Sequence, residues 1–194
     1  MPAARSTRDR RPLLTRERVI AAALVLVDRD GLGGLSMRRL AGELGVEAMS
    51  LYHHVRDKSE VVDGIVAAVL DEIVVVEEGS WRERASSLAH ELRRVVRAHP
   101  HVHLAVIERG IASPAVARPA AALVGALAEG GLEGDELVDG FWTLLAFVTG
   151  SLSCELADRP SIVDDSALPP EFFGRDVDAQ FDRGLSALLD AVTA

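Results

Sequence analysis

The chain predicts an all-α fold in two parts, a short N-terminal bundle of three helices and a longer helical region behind it. Three observations lead there. Apolar residues recur three and four positions apart from Thr15 almost to the end, and no stretch alternates as a strand does. Aromatic residues make up only 4% of 194 residues, whereas Ala, Val and Leu abound, which favours helices packed through aliphatic contacts. Glycines and prolines fall between the periodic runs rather than within them.

In order along the chain, residues 1–14 carry Arg5, Arg8, Arg10 and Arg11 with two prolines and form a basic arm. Thr15 is a fair N-cap for a helix reaching Asp30, with Ile20, Ala23, Leu24 and Val27 on one face. Gly31, Gly33 and Gly34 end it, and Ser36 caps the next helix. No strand precedes that glycine string, so it is no phosphate loop. Asp57 with Glu60 reads as a capping box opening a long helix that runs to about Glu78, with Val62, Ile65, Val66, Val69 and Ile73 in one stripe. Further helices are expected from Trp81 to before Pro100, from Val102 to Arg109, from Ser113-Pro114 to Glu129, from Asp135 to about Asp158, and over 178–193. Residues 159–176, with three prolines, read as a loop. The resulting division is 1–14, 15–62 and 63–194.

The stretch from Ser36 to Glu60, SMRRLAGELGVEAMSLYHHVRDKSE, carries the strongest signal. Leu40, Leu44, Val46 and Leu51 supply buried positions, Ala41 allows two helices to cross closely, and Gly45 tolerates the positive φ of a tight turn. That is the helix-turn-helix pattern, whose second helix is offered to the DNA major groove; here it spans about Glu47 to His54. Charge agrees. Residues 1–58 hold 11 Arg and Lys against 7 Asp and Glu, whereas residues 59–194 hold 10 against 23. Positive charge sits where phosphates are expected, and the acidic remainder is repelled by DNA.

From about Thr15 to Asp63 the chain resembles the DNA-binding domain of the tetracycline repressor (TetR) family. The carrying residues are GLSMRRLAGELGV and MSLYHHVRDKSEVVD, with LYHHVRDK the most specific part. The resemblance implies that Ala48, Met49, Ser50 and His53 face base edges with Arg38 reaching in from the helix before. It also implies that Tyr52, His54 and Lys58, the only lysine of the chain, hold phosphates, with Thr15 adding one more contact. Side-chain chemistry fits: Arg38 can pair bidentately with guanine, Ser50 can donate or accept, and Ala48 or Met49 can touch a thymine methyl. The family further implies a C-terminal helical domain that binds a ligand and pairs two chains, through a four-helix bundle formed here by 135–158 and 178–193. Family members hold tetracycline through magnesium and a carboxylate. Aligned on Cys154, that place falls to Ala157, which argues against such an effector.

For the ligand, His90, His103, Ile107, Phe141 and Trp142 are the candidate contacts, with Trp81 and Phe147 as further cavity candidates. The triplet His99, His101 and His103 alternates across Pro100 and lacks a nearby Cys or carboxylate pair, so no metal and no cofactor is expected. Cys154 cannot make an internal disulfide and reads as a buried small hydrophobe of a reducing compartment. No apolar run of bilayer length and no secretory leader is read, which gives a cytoplasmic expectation with no membrane partner. The expected function is a ligand-responsive repressor that binds a palindromic operator in double-stranded DNA as a homodimer and is released by a small, mostly apolar effector. A transcriptional activator or an effector-independent DNA binder of the same fold is the alternative. An enzyme finds no support, since no nucleophile set, carboxylate pair or phosphate loop stands at persuasive spacing.

Overall fold

The structure is a computed structural model that describes residues 13–157 and 176–191. The arginine arm and most of the proline-rich stretch lie outside the described residues. Among those described, nine α-helices and no strand occur: α1 (Arg16–Asp30), α2 (Met37–Leu44), α3 (Ala48–Leu51), α4 (Lys58–Asp71), α5 (Trp81–Ala98), α6 (His103–Arg109), α7 (Ala117–Glu129), α8 (Gly134–Leu156) and α9 (Val177–Ala191).

Local chemistry sets the boundaries of the first three helices. Thr15 Oγ1 accepts from Arg18 N at 3.2 Å and Ser36 Oγ from Arg39 N at 3.2 Å, so both predicted N-caps are made. Gly45 takes φ 65°, ψ 35°, and the next amide, Val46 N, returns to Ala41 O at 3.0 Å. This closes α2 with a left-handed cap that any β-carbon would disfavour. Val19, Ala23, Leu26 and Val27 of α1, Leu40 and Ala41 of α2 and Leu51 of α3 are buried in one core. A β-carbon on Gly64 would stand 2.4 Å from Ile20 Cδ1, so a larger residue at 64 would push the buried Ile20 side chain aside where α1 and α4 cross.

Two helices are shorter than expected. α3 covers Ala48–Leu51 rather than 47–54, because Glu47 offers no side-chain cap and the chain tightens behind it. Tyr52 N bonds Met49 O, and His54 N bonds Leu51 O at 2.8 Å, both three residues back. α4 stops at Asp71, not Glu78. The β-branched run Ile73-Val74-Val75-Val76 is a poor helix former. Competing partners then take its backbone: Arg94 Nη2 donates to Glu72 O, Arg118 Nη2 to Ile73 O, and Val74 N donates to Glu91. At Asp57 only half of the expected box forms. Its carboxylate accepts from Glu60 N at 2.9 Å, but the Glu60 carboxylate turns to Arg56 N instead. The full box stands at α5, where Ser80 and Glu83 cap each other.

α4 runs from the three-helix head into the rest of the molecule, where α5, α6 and the turns between α6 and α7 pack on it, with α7 and α8 packed in turn on α5. α9 lies on α5 and α8.

Candidate DNA-reading surface and ligand cavity

Electrostatic pairing sorts the basic residues of the head into two groups. Arg29 pairs with Asp30 and Glu43, Arg39 with Asp30 and Gly34 O, and Arg16 and Arg56 with Glu60. These guanidiniums hold the head together. Two hydrogen bonds from Arg56, backbone first and side chain second, bring the Glu60 carboxyl down to about 2. Arg38 and Lys58 are exposed and form no ion pair among the described residues. Two arginines adjacent in sequence thus have different roles, Arg39 as a strut and Arg38 as a free cation. Around them, Met49 is 70% exposed and Tyr52 46%, His53 is exposed, and Ala48, Ser50 and His54 are half-buried beside the core. Thr15 caps α1 through its oxygen, which leaves its hydroxyl proton available to donate. All nine sequence-named residues therefore lie along α1–α4, anchored by Leu40 and Leu51 beneath.

At the other end of α4 is a cavity of about 340 Å³ between α5, α6, α7 and α8, with Leu70 of α4 and Ile73 just beyond that helix contributing. Ile107, Phe141 and Trp142 line it, as the sequence suggested. His90 and His103 do not. His90 is exposed on α5, with Nε2 at 2.9 Å from Asp182 of α9 and Nδ1 at 2.8 Å from Ser86 O. His103 is buried against α8, where Ser153 Oγ donates to Thr149 O, so His103 Nε2 is the donor to Ser153 at 3.1 Å. Burial holds its pKa below the ordinary histidine value. Helical periodicity put both on plausible faces but did not show which neighbour each face would meet. Trp81 packs against Gly130, and Phe147 against Phe181 at 5.3 Å, both away from this cavity. Leu88, Leu123 and Thr149 line it without any sequence signal beyond periodicity.

The histidine triplet is divided rather than gathered. His99 Nδ1 meets the Asp28 carboxylate of α1 at 2.9 Å and Nε2 meets Glu72 at 3.1 Å, beyond the end of α4. No group of three potential metal ligands occurs among the described residues. Burial pushes the His99 pKa down, but the two carboxylates outweigh it and the net shift is upward. A second strut, missed in the sequence, is Arg109 at the end of α6. Its Nη1 reaches Asp63 at 2.7 Å and Ser59 Oγ at 3.0 Å in the first turns of α4.

α8 corrects two expectations. At 23 residues, with an apolar window of mean hydropathy 1.4, it is long and apolar enough by composition to cross a membrane. It packs on α5, α7 and α9, and its Glu155 is paired with buried Arg93, yet only 22% of the window is buried. Cys154 is exposed on it rather than buried, because it falls off the buried stripe of Gly140, Leu144, Val148 and Leu152.

A helix-turn-helix head with unpaired cations, joined by one helix to a hollow helical domain, defines a ligand-binding type of DNA-binding regulator. Residues 19–65 match the model of the bacterial regulatory proteins of the tetR family, and residues 76–169 the tetracyclin repressor-like C-terminal domain. An HTH-type transcriptional regulator of Saccharopolyspora erythraea is 35% identical over 95% of this chain and 86% of its own length. The HTH-type transcriptional repressor DrrR1 of Streptomyces coeruleorubidus is 32% identical over 78% of this chain and 57% of its own length. The crystal structure of the Streptomyces coelicolor TetR family protein ActR in complex with (S)-DNPA superimposes with a TM-score of 0.79. It has 29% identity and covers 93% of this chain and 98% of that one. The chain belongs to the TetR family of helix-turn-helix transcriptional regulators.

Proposed function

We propose that the protein is a repressor that binds a two-fold-symmetric operator as a homodimer and is released when a small molecule fills the cavity. The observation that carries this reading is the division of the head's cations, with Arg38 and Lys58 free beside Met49 and Tyr52 while their neighbours are neutralised. In this reading Arg38, Ala48, Met49, Ser50 and His53 meet base edges, and Thr15, Tyr52, His54 and Lys58 meet phosphates. The repressor named DrrR1 among the relatives supports the sign of regulation, and ActR in complex with a small molecule supports a ligand.

The exposed apolar side of α8, with α9 beside it, supports a second copy as the covering partner rather than a lipid phase. A two-fold contact uses the same patch on both chains and sets two heads about 34–36 Å apart, one duplex turn. A DNA-bound repressor with no membrane partner acts in the cytoplasm. α4 transmits the ligand signal. α6 supplies Val106 and Ile107 to the cavity, Gly110 follows directly behind it, and its Arg109 reaches Ser59 and Asp63, so its displacement is carried to the segment just behind α3. A coupling of about 1–3 kcal/mol lowers operator affinity about 5- to 150-fold.

The test selects bound sequences from random duplex DNA and then screens small molecules for release of the winning site. A palindromic site released by a ligand is the expected result. A site without two-fold symmetry excludes the dimeric mode.

A further inference from the structure

We infer that the cavity selects an uncharged, ring-bearing molecule that presents one hydrogen-bond donor, and that it turns away ions of either sign. This rests on the cavity being the effector site.

Its lining holds no ionisable side chain. Arg109 and Arg118 flank lining positions in sequence, but they spend their guanidinium groups on Asp63 and on Ile73 O at 2.8 Å. An ion inside would lose its water and find no counter-charge, and a bare buried charge is among the costliest things a protein can hold. The cavity does offer aromatic surface. Phe141 and Trp142 meet edge to face at 5.5 Å and 86°, a right-angled corner against which a flat ring can stack. Ile107, Ile111 and Trp142 line the cavity yet are 42%, 48% and 51% exposed, so its mouth is apolar as well. At about 340 Å³ it stands at the small end of the range of about 300–1,000 Å³ for small-molecule sites.

Hydrogen bonding sharpens the class. Thr149 is the one lining residue with a hydroxyl, and that hydroxyl donates to Leu145 O at 2.8 Å. Its proton is committed, so toward a ligand it can only accept. A ligand hydroxyl or N–H satisfies Thr149, whereas a carbonyl or ether oxygen at that place meets a lone pair. The other polar side-chain group of the lining is the indole N–H of Trp142, a donor at the exposed mouth. Phenols, aryl alcohols and arylamines fit; carboxylates, sulfonates and quaternary amines do not.

Three probes on one ring frame test this with the full-length protein. N-phenyl-1-naphthylamine is uncharged with one N–H, 1-anilinonaphthalene-8-sulfonate adds a negative charge, and 1-phenoxynaphthalene replaces the N–H by oxygen. Fluorescence titration is expected to give saturable binding of the amine at one per chain. The sulfonate is expected to bind at least about tenfold more weakly. The ether is expected to displace the amine about 2- to 10-fold less well. Thr149→Val should abolish the amine–ether difference, and Trp142→Ala, at the exposed mouth, should weaken all uncharged probes together. No binding of the amine, a sulfonate that binds equally well, or an amine–ether difference that survives Thr149→Val overturns the inference. Operator binding measured in the same samples separates the two claims. Selective probe binding without operator release upholds the ligand class and refutes the effector reading, whereas release by neutral and anionic probes alike does the reverse.

Discussion

The head and the α8–α9 region solve burial in opposite ways. In the head, α1 to α4 put nearly every large aliphatic side chain into a shared core and cover it with paired arginines; Val19, Leu40, Leu51 and Val61 are all fully buried. α8 is the most bilayer-like helix among those described, yet only 22% of its apolar window is fully buried. A stretch whose hydropathy exceeds its burial is the natural place for the second copy proposed above, whereas the head's core aliphatic side chains are already covered. The head's exposed side chains include Arg38, Lys58, Tyr52 and His53, which suit a polyanion. Hydropathy alone would have ranked α8 as the interior. The structure leaves much of it outside the core.

The largest expected effect tests that contrast directly. Gly150 lies on the open side of α8, and a β-carbon there meets nothing within 4 Å. Gly150→Arg therefore leaves the single chain intact and even gains about 1 kcal/mol of helix propensity. In a two-fold interface the same residue puts two cations against each other. Sedimentation is expected to show a monomer with an unchanged circular dichroism spectrum, and operator affinity should fall about 10²- to 10⁴-fold with the loss of bivalence. A variant that keeps wild-type mass in solution would falsify the dimer face. In the head, Leu40→Ala opens a hole at the crossing of α1, α2 and α3 and is expected to cost about 2–5 kcal/mol in chemical denaturation.

Next in size are the two free cations, which sharpen the difference between Arg38 and Arg39. Arg38→Ala is expected to lose about 1–3 kcal/mol of discrimination at one base step while the head keeps its melting temperature. Arg39→Ala breaks the links to Asp30 and Gly34 O and should lower head stability without changing base preference. Lys58→Ala should weaken all sequences alike and reduce the salt slope by about 1. Footprints on a selected site over a salt series separate the three. If Lys58→Ala leaves both affinity and slope unchanged, the docking geometry is wrong.

How much of this was legible beforehand follows from the same physics. The caps Thr15, Ser36 and Asp57 and the Gly45 turn are local, so their residue types could be read in order along the chain. The end of α4 was misread because the apolar stripe continues through Ile73 while the helix does not. The residues that stop it, Glu91, Arg94 and Arg118, come from elsewhere in the sequence. Phe141, Trp142 and Ile107 were found for the cavity because large apolar side chains on helical faces line most hollows. His90 and His103 were misplaced because their partners, Asp182 and Ser153, are 92 and 50 residues away. The Arg109 and His99 struts escaped for the same reason, being links between segments distant in sequence.

The smallest expected effect concerns the join between head and cavity domain. Both His99 nitrogens face carboxylates, Asp28 on α1 and Glu72 beyond α4, so both must carry protons for both bonds to form. The His99 pKa lies above the ordinary value of 6.5 because these carboxylates outweigh burial. A raised folded-state value means that its stabilisation is complete below about pH 6.5 and lost as pH rises through the folded value. Glu60 behaves in the opposite sense. Its depressed value stabilises above 4.5, and the contribution is lost as pH falls toward about 2. The two windows do not overlap, so one thermal-melting series from pH 3 to pH 9 resolves them. Wild type is expected to lose a small increment on the alkaline side that His99→Gln lacks, and on the acid side both should fall together. Glu60→Gln should remove part of the acid loss and leave the alkaline loss in place. Identical alkaline slopes for wild type and His99→Gln would show that His99 does not hold the head to the cavity domain, leaving Arg109 as the strut through which the two communicate.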